Sequence, residues 1–149
     1  MIAAPPTPSV LPDYLRTGLD LVFVGINPGT RSAATGHHYA GSGNHFWPLL
    51  HEAGFVDEPL TYANDARILE WNIGVTNMVD RASPSISDLS LAELRDGAAA
   101  LREKLLRVQP RFAFANPQSS IETAGELQLP GLGCHRRLRM SSAMFRVVG

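Results

Sequence analysis

The chain reads as a three-layer α/β/α protein with a mainly parallel central sheet. Three observations predict this. Apolar runs of strand length occupy residues 19–24, 74–79 and 111–115. Helical patterns lie between them, the clearest over residues 91–108. Strands that alternate with helices imply βαβ crossovers, and those put helices on both faces of a parallel sheet.

Residues 1–13 are rich in proline and small side chains and read as a flexible lead-in to a single domain over residues 14–149. The first strand, residues 19–24, runs into Gly25, Ile26, Asn27, Pro28 and Gly29. A Pro-Gly turn at a strand end holds the Asn27 amide in place, which suits orienting a water or a flat ligand. Residues 25–43 read as a Gly-rich loop carrying His37, His38 and Tyr39. Asn44 is placed to cap a helix over residues 45–53 that Gly54 ends. Residues 65–71 read as helical, 74–79 as the second strand and 81–89 as a polar loop. Ser90 and Glu93 form a capping-box pattern. The helix it opens places Leu94, Leu101, Leu105 and Val108 on one face, and Pro110 stops it before the third strand.

Ligands of open α/β sheets sit beyond the carboxyl ends of the strands. Asn27, Asn77 and Asn116 stand at those ends and make a polar rim. For Asn116 the ordinary preference of asparagine for turns is the simpler explanation.

A chain of 149 residues, 44% hydrophobic and 18% charged, suits one ordinary globular domain. No run approaches the ~20 apolar residues that span a bilayer, so no membrane partner is expected. The N-terminal residues lack the basic and apolar regions of a secretory signal, and the single Cys134 rules out an internal disulfide. Both fit a cytoplasmic protein. His37, His38, His45 and His51 match no zinc spacing, so no metal is expected. Net charge is −1, but its distribution is uneven. Residues 1–126 hold nine basic and fourteen acidic residues, whereas residues 127–149 hold Arg136, Arg137, Arg139 and Arg146 and no acid. That basic end either contacts phosphates or is simply a solvated terminus.

The stretch Gly25-Ile26-Asn27-Pro28-Gly29 resembles the mismatch-specific uracil/thymine-DNA glycosylase family, within the uracil-DNA glycosylase superfamily. The blocks at residues 36–47, 74–81 and 88–97 resemble the same family in order and spacing, and the similarity spans roughly residues 15–116. The resemblance implies a uracil-DNA glycosylase-like fold. It also implies an enzyme that flips uracil or thymine mispaired with guanine out of duplex DNA and hydrolyses its N-glycosidic bond. Double-stranded DNA is then the partner, no cofactor is needed, and the enzyme is expected to be a monomer.

By the same resemblance, Asn27 holds the hydrolytic water, and Gly25 and Ile26 offer backbone to the pyrimidine. Ser32 is a small residue facing the base, and His38 lines the pocket near the base edge. Tyr39 stacks on the base or else packs in the core, and Asn77 contacts the base. Asp88 either activates water or caps the helix that follows. The family's second active-site segment is best matched in order by residues 140–146, where Ser141, Ser142 and Arg146 would face DNA and Met144 would act as an apolar wedge. Residues 116–120 resemble that segment only superficially and come too early. The other reading is that residues 117–149 are divergent or incomplete and lack this role. Lys104, the only lysine, lies on the long helix, so a lyase step is not expected.

Two further readings differ in class. One is a glycosylase-like module that binds DNA or pyrimidines without cleavage. The other is an unrelated nucleotide-binding α/β protein, which the lack of both Gly-rich phosphate-loop patterns argues against.

Overall fold

The computed structural model describes residues 10–115. Three parallel strands form the sheet: β1 (Leu21–Gly25), β2 (Ile73–Asn77) and β3 (Phe112–Ala115), in the order β2-β1-β3. Five segments complete the described part: α1 (Thr30–Thr35), α2 (Phe46–Glu52), a 3-10 segment (Tyr62–Trp71), a short 3-10 turn (Ile86–Asp88) and α3 (Leu91–Val108).

Alternation along the strands sends side chains to two separate cores. Leu21 and Phe23 of β1 and Ile73 and Val75 of β2 pack with Phe46, Trp47 and Leu50 of α2 and with Ile68. Val22 and Val24 pack on the opposite face with Leu101, Leu105 and Val108 of α3 and with Ala113. The result is the expected three-layer α/β/α arrangement around a parallel sheet. At the amino-terminal half of α3, Gly97 lies against the Met78 carbonyl and the Val79 side chain, where a Cβ would collide. This close approach seats the helix on the loop leaving β2.

Several boundaries differ from the sequence reading. Residues 91–108 form a helix as expected, because the reciprocal cap between Ser90 and Glu93 starts it and Gln109, in the left-handed conformation, ends it. The Gly-rich loop contains the short helix α1, closed by Gly36 at φ 75°. One turn and a half is too short for apolar periodicity to reveal it. The segment expected to be helical from residue 65 begins earlier, with a capping box between Thr61 and Asn64. It is two 3-10 turns joined at a kink at Asn64.

The lead-in read over residues 1–13 also differs in its last part. Leu11 is buried, the Pro12 carbonyl accepts a bond from His38, and Asp13 pairs with Lys104. Tyr14 then bridges antiparallel to Val75 through bonds of 2.9 and 3.0 Å, so it covers the outer edge of β2. Short local pairings of this kind are set by distant residues, which composition does not register. No described helix is long and apolar enough to cross a membrane.

Candidate active site

The loops leaving β1 and β2 are fastened to each other. Backbone N–H groups of Met78, Val79 and Ser83 donate to the carbonyls of Gly25, Ile26 and Pro28 at 2.8, 2.7 and 3.1 Å. Beneath them Ile26, Val79 and Leu89 form a small apolar cluster. The carboxyl end of the sheet therefore presents a rigid floor, and bonds between main-chain groups set its shape.

Asn27 stands on that floor, half-buried. Its Nδ2 donates to the Arg81 carbonyl at 2.9 Å and to Ser83 Oγ at 2.7 Å. The Arg81 carbonyl can only accept, so the nitrogen end of the amide must face it. Ser83 Oγ in turn donates to the Ser85 carbonyl at 2.7 Å, which commits its own proton and leaves it an acceptor for Asn27. Both amide hydrogens are thus engaged. Among the described residues no donor reaches Oδ1. The Asn27 side chain can therefore offer one function outward, a fixed carbonyl acceptor suited to taking a hydrogen bond from water. A neutral amide is too weak a base to remove a proton at neutral pH, so such a group works by orientation.

Gly25 and Asn77 are register partners at the ends of β1 and β2. A Cβ on Gly25 would overlap Asn77 Oδ1, so only glycine leaves room for that carboxamide. Asn77 is 8% exposed, and among the described residues its side-chain amide makes no hydrogen bond. No fully buried side-chain polar atom among them lacks a partner, so this amide keeps contact with solvent and is open to water or a ligand. A carboxamide offers a donor beside an acceptor, which matches the donor-and-acceptor edge of a pyrimidine. Behind it, Lys104 Nζ reaches the Asn77 carbonyl at 3.5 Å and Thr76 Oγ1 at 3.3 Å while pairing with Asp13 at 2.8 Å. Lys104 thus lies closer to the strand end than its place on the long helix suggested. Its ammonium faces the Asp13 carboxylate.

Ser32, His38 and Tyr39 form a second group, in α1 and the loop after it. Ser32 is buried, and its Oγ accepts from the Ala40 N–H at 3.1 Å. His38 is 2% exposed. Its Nε2 lies 2.7 Å from the Pro12 carbonyl, so that nitrogen carries the proton. Burial pushes the imidazole below its ordinary value, against smaller opposing effects from the Pro12 carbonyl, Asp65 and Asp13. Tyr39 has φ 53° and is half-buried. Its ring stacks on Phe46 with centroids 3.9 Å apart and planes at 24°, and burial raises its hydroxyl above the usual phenol range. Trp47 Nε1 donates to the His38 carbonyl of this loop at 3.1 Å, and His37, within the loop, places its Nδ1 3.0 Å from Asp65 Oδ1.

Asp88 ends a short 3-10 turn and is exposed. Its Oδ2 accepts from the Ser85 N–H at 3.1 Å, so it closes the turn that Ser85 opens. The cap of α3 belongs to Ser90 and Glu93. Arg81, whose carbonyl anchors Asn27, holds Glu93 and the Asp88 carbonyl, and this pairing lowers the Glu93 carboxyl to about 2.

The structure therefore gathers Gly25, Ile26, Asn27 and Asn77 at one strand end. It links Asp88 to Asn27 indirectly, through Ser83 and Ser85 and through Arg81, and it sets Ser32, His38 and Tyr39 in the adjoining loop. Ile26 has its carbonyl occupied by Val79, which leaves its N–H as the backbone group to consider. Ser83 and Asp65 are site residues that the sequence reading did not single out. Asn116, Ser141, Ser142, Met144 and Arg146 lie outside the described residues. Among the described residues no group of acidic, histidine or cysteine side chains could hold a metal.

A family model described as the uracil DNA glycosylase superfamily matches residues 12–132. That span contains both strand-end loops, the histidine-tyrosine loop and the helix behind them. The parallel sheet with Asn27 at the end of its central strand has the architecture that this match implies. The chain belongs to the uracil DNA glycosylase superfamily of DNA repair hydrolases.

Proposed function

We propose that this chain is a monofunctional, monomeric DNA glycosylase that removes uracil or thymine mispaired with guanine from duplex DNA. Flipping costs on the order of a few kcal/mol, and least at a mismatch, so part of the selectivity precedes chemistry. The flipped pyrimidine enters beside Gly25 and Ile26, its edge meets Asn77, and its ring stacks on Tyr39. Ser32 and His38 shape the wall behind it. Asn27 Oδ1 holds a water against the anomeric carbon. The glycosidic bond breaks as the base takes up negative charge, and hydrogen-bond donors aimed at the base lower that barrier. Water then adds to the sugar, leaving an abasic site and the free base.

The observation that carries this reading is the single orientation of the Asn27 amide, with its nitrogen held by Arg81 and Ser83 and its oxygen turned outward. The pairing of Lys104 with Asp13 supports a hydrolytic rather than a lyase reaction. Ser141, Ser142 and Arg146 are proposed to grip the backbone of the DNA. Alkali-revealed cleavage of labelled G:U, G:T and single-stranded uracil substrates tests the proposal. Cleavage of G:U and G:T duplexes is expected, and no abasic product from any of the three contradicts it.

The alternative, binding without cleavage, is favoured by one observation. The Asp88 carboxylate is engaged in capping its own turn, which leaves an amide as the group nearest to a water-activating role. A gel shift on G:U duplex with no abasic product would select that alternative.

A further inference from the structure

We propose that Asp65 is a positioning residue for base capture. Its buried carboxylate fixes the backbone on the amino-terminal side of Tyr39, so that the ring stays where a flipped pyrimidine can stack on it. The inference rests on the stacking role proposed above for Tyr39.

Tyr39 occupies the left-handed region at φ 53°, a conformation that side chains as bulky as tyrosine seldom adopt. Such a residue persists only where its surroundings over-determine it, and such residues gather at ligand-binding sites. The flanking peptides are held on every side. The His38 N–H donates to Asp65 Oδ2 at 2.8 Å, the His38 carbonyl accepts from Trp47 Nε1 at 3.1 Å, and the Ala40 N–H donates to Ser32 Oγ at 3.1 Å. Trp47 and Ser32 come from the helices on either side of the loop. Asp65 comes from the 3-10 segment and is the only charged group among the three.

Asp65 is 1% exposed. Its Oδ1 accepts from the Tyr14 hydroxyl at 2.9 Å and lies 3.0 Å from His37 Nδ1. Three donors therefore converge on one buried carboxylate, as a buried charge requires. Two of them, from His37 and His38, belong to the loop that carries Tyr39, and the third comes from the residue covering the edge of β2. The carboxylate thus ties the tyrosine loop to the sheet that carries Asn77. Without this tie, nothing from the 3-10 segment would oppose relaxation of Tyr39 toward negative φ, and the ring would leave its stacked place on Phe46.

A purely architectural Asp65 would affect stability alone, so the test is a double-mutant cycle read in single-turnover uracil excision from a G:U duplex. Asp65→Asn keeps the size and one acceptor. It is expected to slow excision about tenfold in the wild-type background. In a Tyr39→Ala background the same change is expected to alter the rate less than twofold, while it lowers Tm equally in both. Tyr14→Phe removes only one of the three donors and serves where Asp65→Asn folds poorly. It is expected to give a smaller loss of rate that Tyr39→Ala suppresses in the same way. If either change slows excision equally in both backgrounds, or in neither, the positioning role is overturned and the stacking role of Tyr39 stands. If Tyr39→Ala itself cleaves at the wild-type rate, the stacking role fails and the positioning role falls with it.

Discussion

Asn27 can present only its carbonyl oxygen, because a main-chain carbonyl and a serine whose proton is already committed hold its nitrogen. Ser83→Ala would leave the amide one tether and some freedom to turn. It is expected to slow uracil excision about tenfold with little change in DNA affinity, measured by single-turnover kinetics and a filter-binding titration. Gly25→Ala would drive a methyl group into Asn77 Oδ1. Displacing that carboxamide is expected to weaken uracil excision about 100-fold, and an unimpaired Gly25→Ala enzyme would remove Asn77 from the base-reading role. Asn27 and Asn77 were legible in the sequence because each ends an apolar run, and Pro28 and Gly29 mark the first as a tight turn. Ser83 was not. It is one serine in a serine-rich loop, and only the crossing of two loops more than fifty positions apart makes it a partner of Asn27. Asp65 was hidden for the same reason, since its donors come from positions 14, 37 and 38.

The helix α3 carries its own start signal, and that signal also reaches the site. Ser90 Oγ accepts the Glu93 N–H at 3.1 Å, and Glu93 returns the bond to the Ser90 N–H at 2.8 Å. Glu93 also pairs with Arg81, whose carbonyl anchors Asn27. Ser90→Ala is expected to cost about 1 kcal/mol of stability, seen as a lower midpoint in urea with an unchanged slope. Glu93→Gln keeps the cap and weakens the pair with Arg81, so it is expected to lower excision more than Tm. A helix with matched caps and an apolar face declares itself locally, which is why residues 91–108 read correctly. The 3-10 segment opens on a reciprocal cap between Thr61 and Asn64, but asparagine stands where the usual pattern has Glu or Gln, so the sequence does not announce it. The burial of Asp65 answers to its bonds with Tyr14 and with the tyrosine loop, which local propensity does not encode.

The parallel direction of the strands follows from their alternation with helices, and the observed order β2-β1-β3 brings Gly25 beside Asn77. How the amino-terminal residues cover β2 and engage Lys104 depends on contacts between residues far apart in the sequence, and composition concealed it. Burial of His38 links the stability of this assembly to pH. Its pKa in the fold lies below the ordinary 6.5, so the folded protein binds fewer protons than the unfolded chain between the two values. Stability from this group is therefore complete above about 6.5 and falls as pH drops through that window. Tm should decline from pH 7.5 to 5.5, and His38→Gln, which can keep a donor toward Pro12, should flatten the decline. Grip on DNA should depend on salt, and replacing Arg146 by glutamine should reduce the slope of log K against log salt by about 0.9 if that side chain neutralises one phosphate. The role of Asn27 is tested most directly by single-turnover excision of uracil from a G:U duplex by the wild type, Asn27→Ala and Asp88→Asn. Asn27→Ala is expected to lose at least about 100-fold in rate while still binding the duplex, and Asp88→Asn to stay within about threefold of the wild type. Abolished cleavage by Asp88→Asn, with Asn27→Ala spared, would contradict that role.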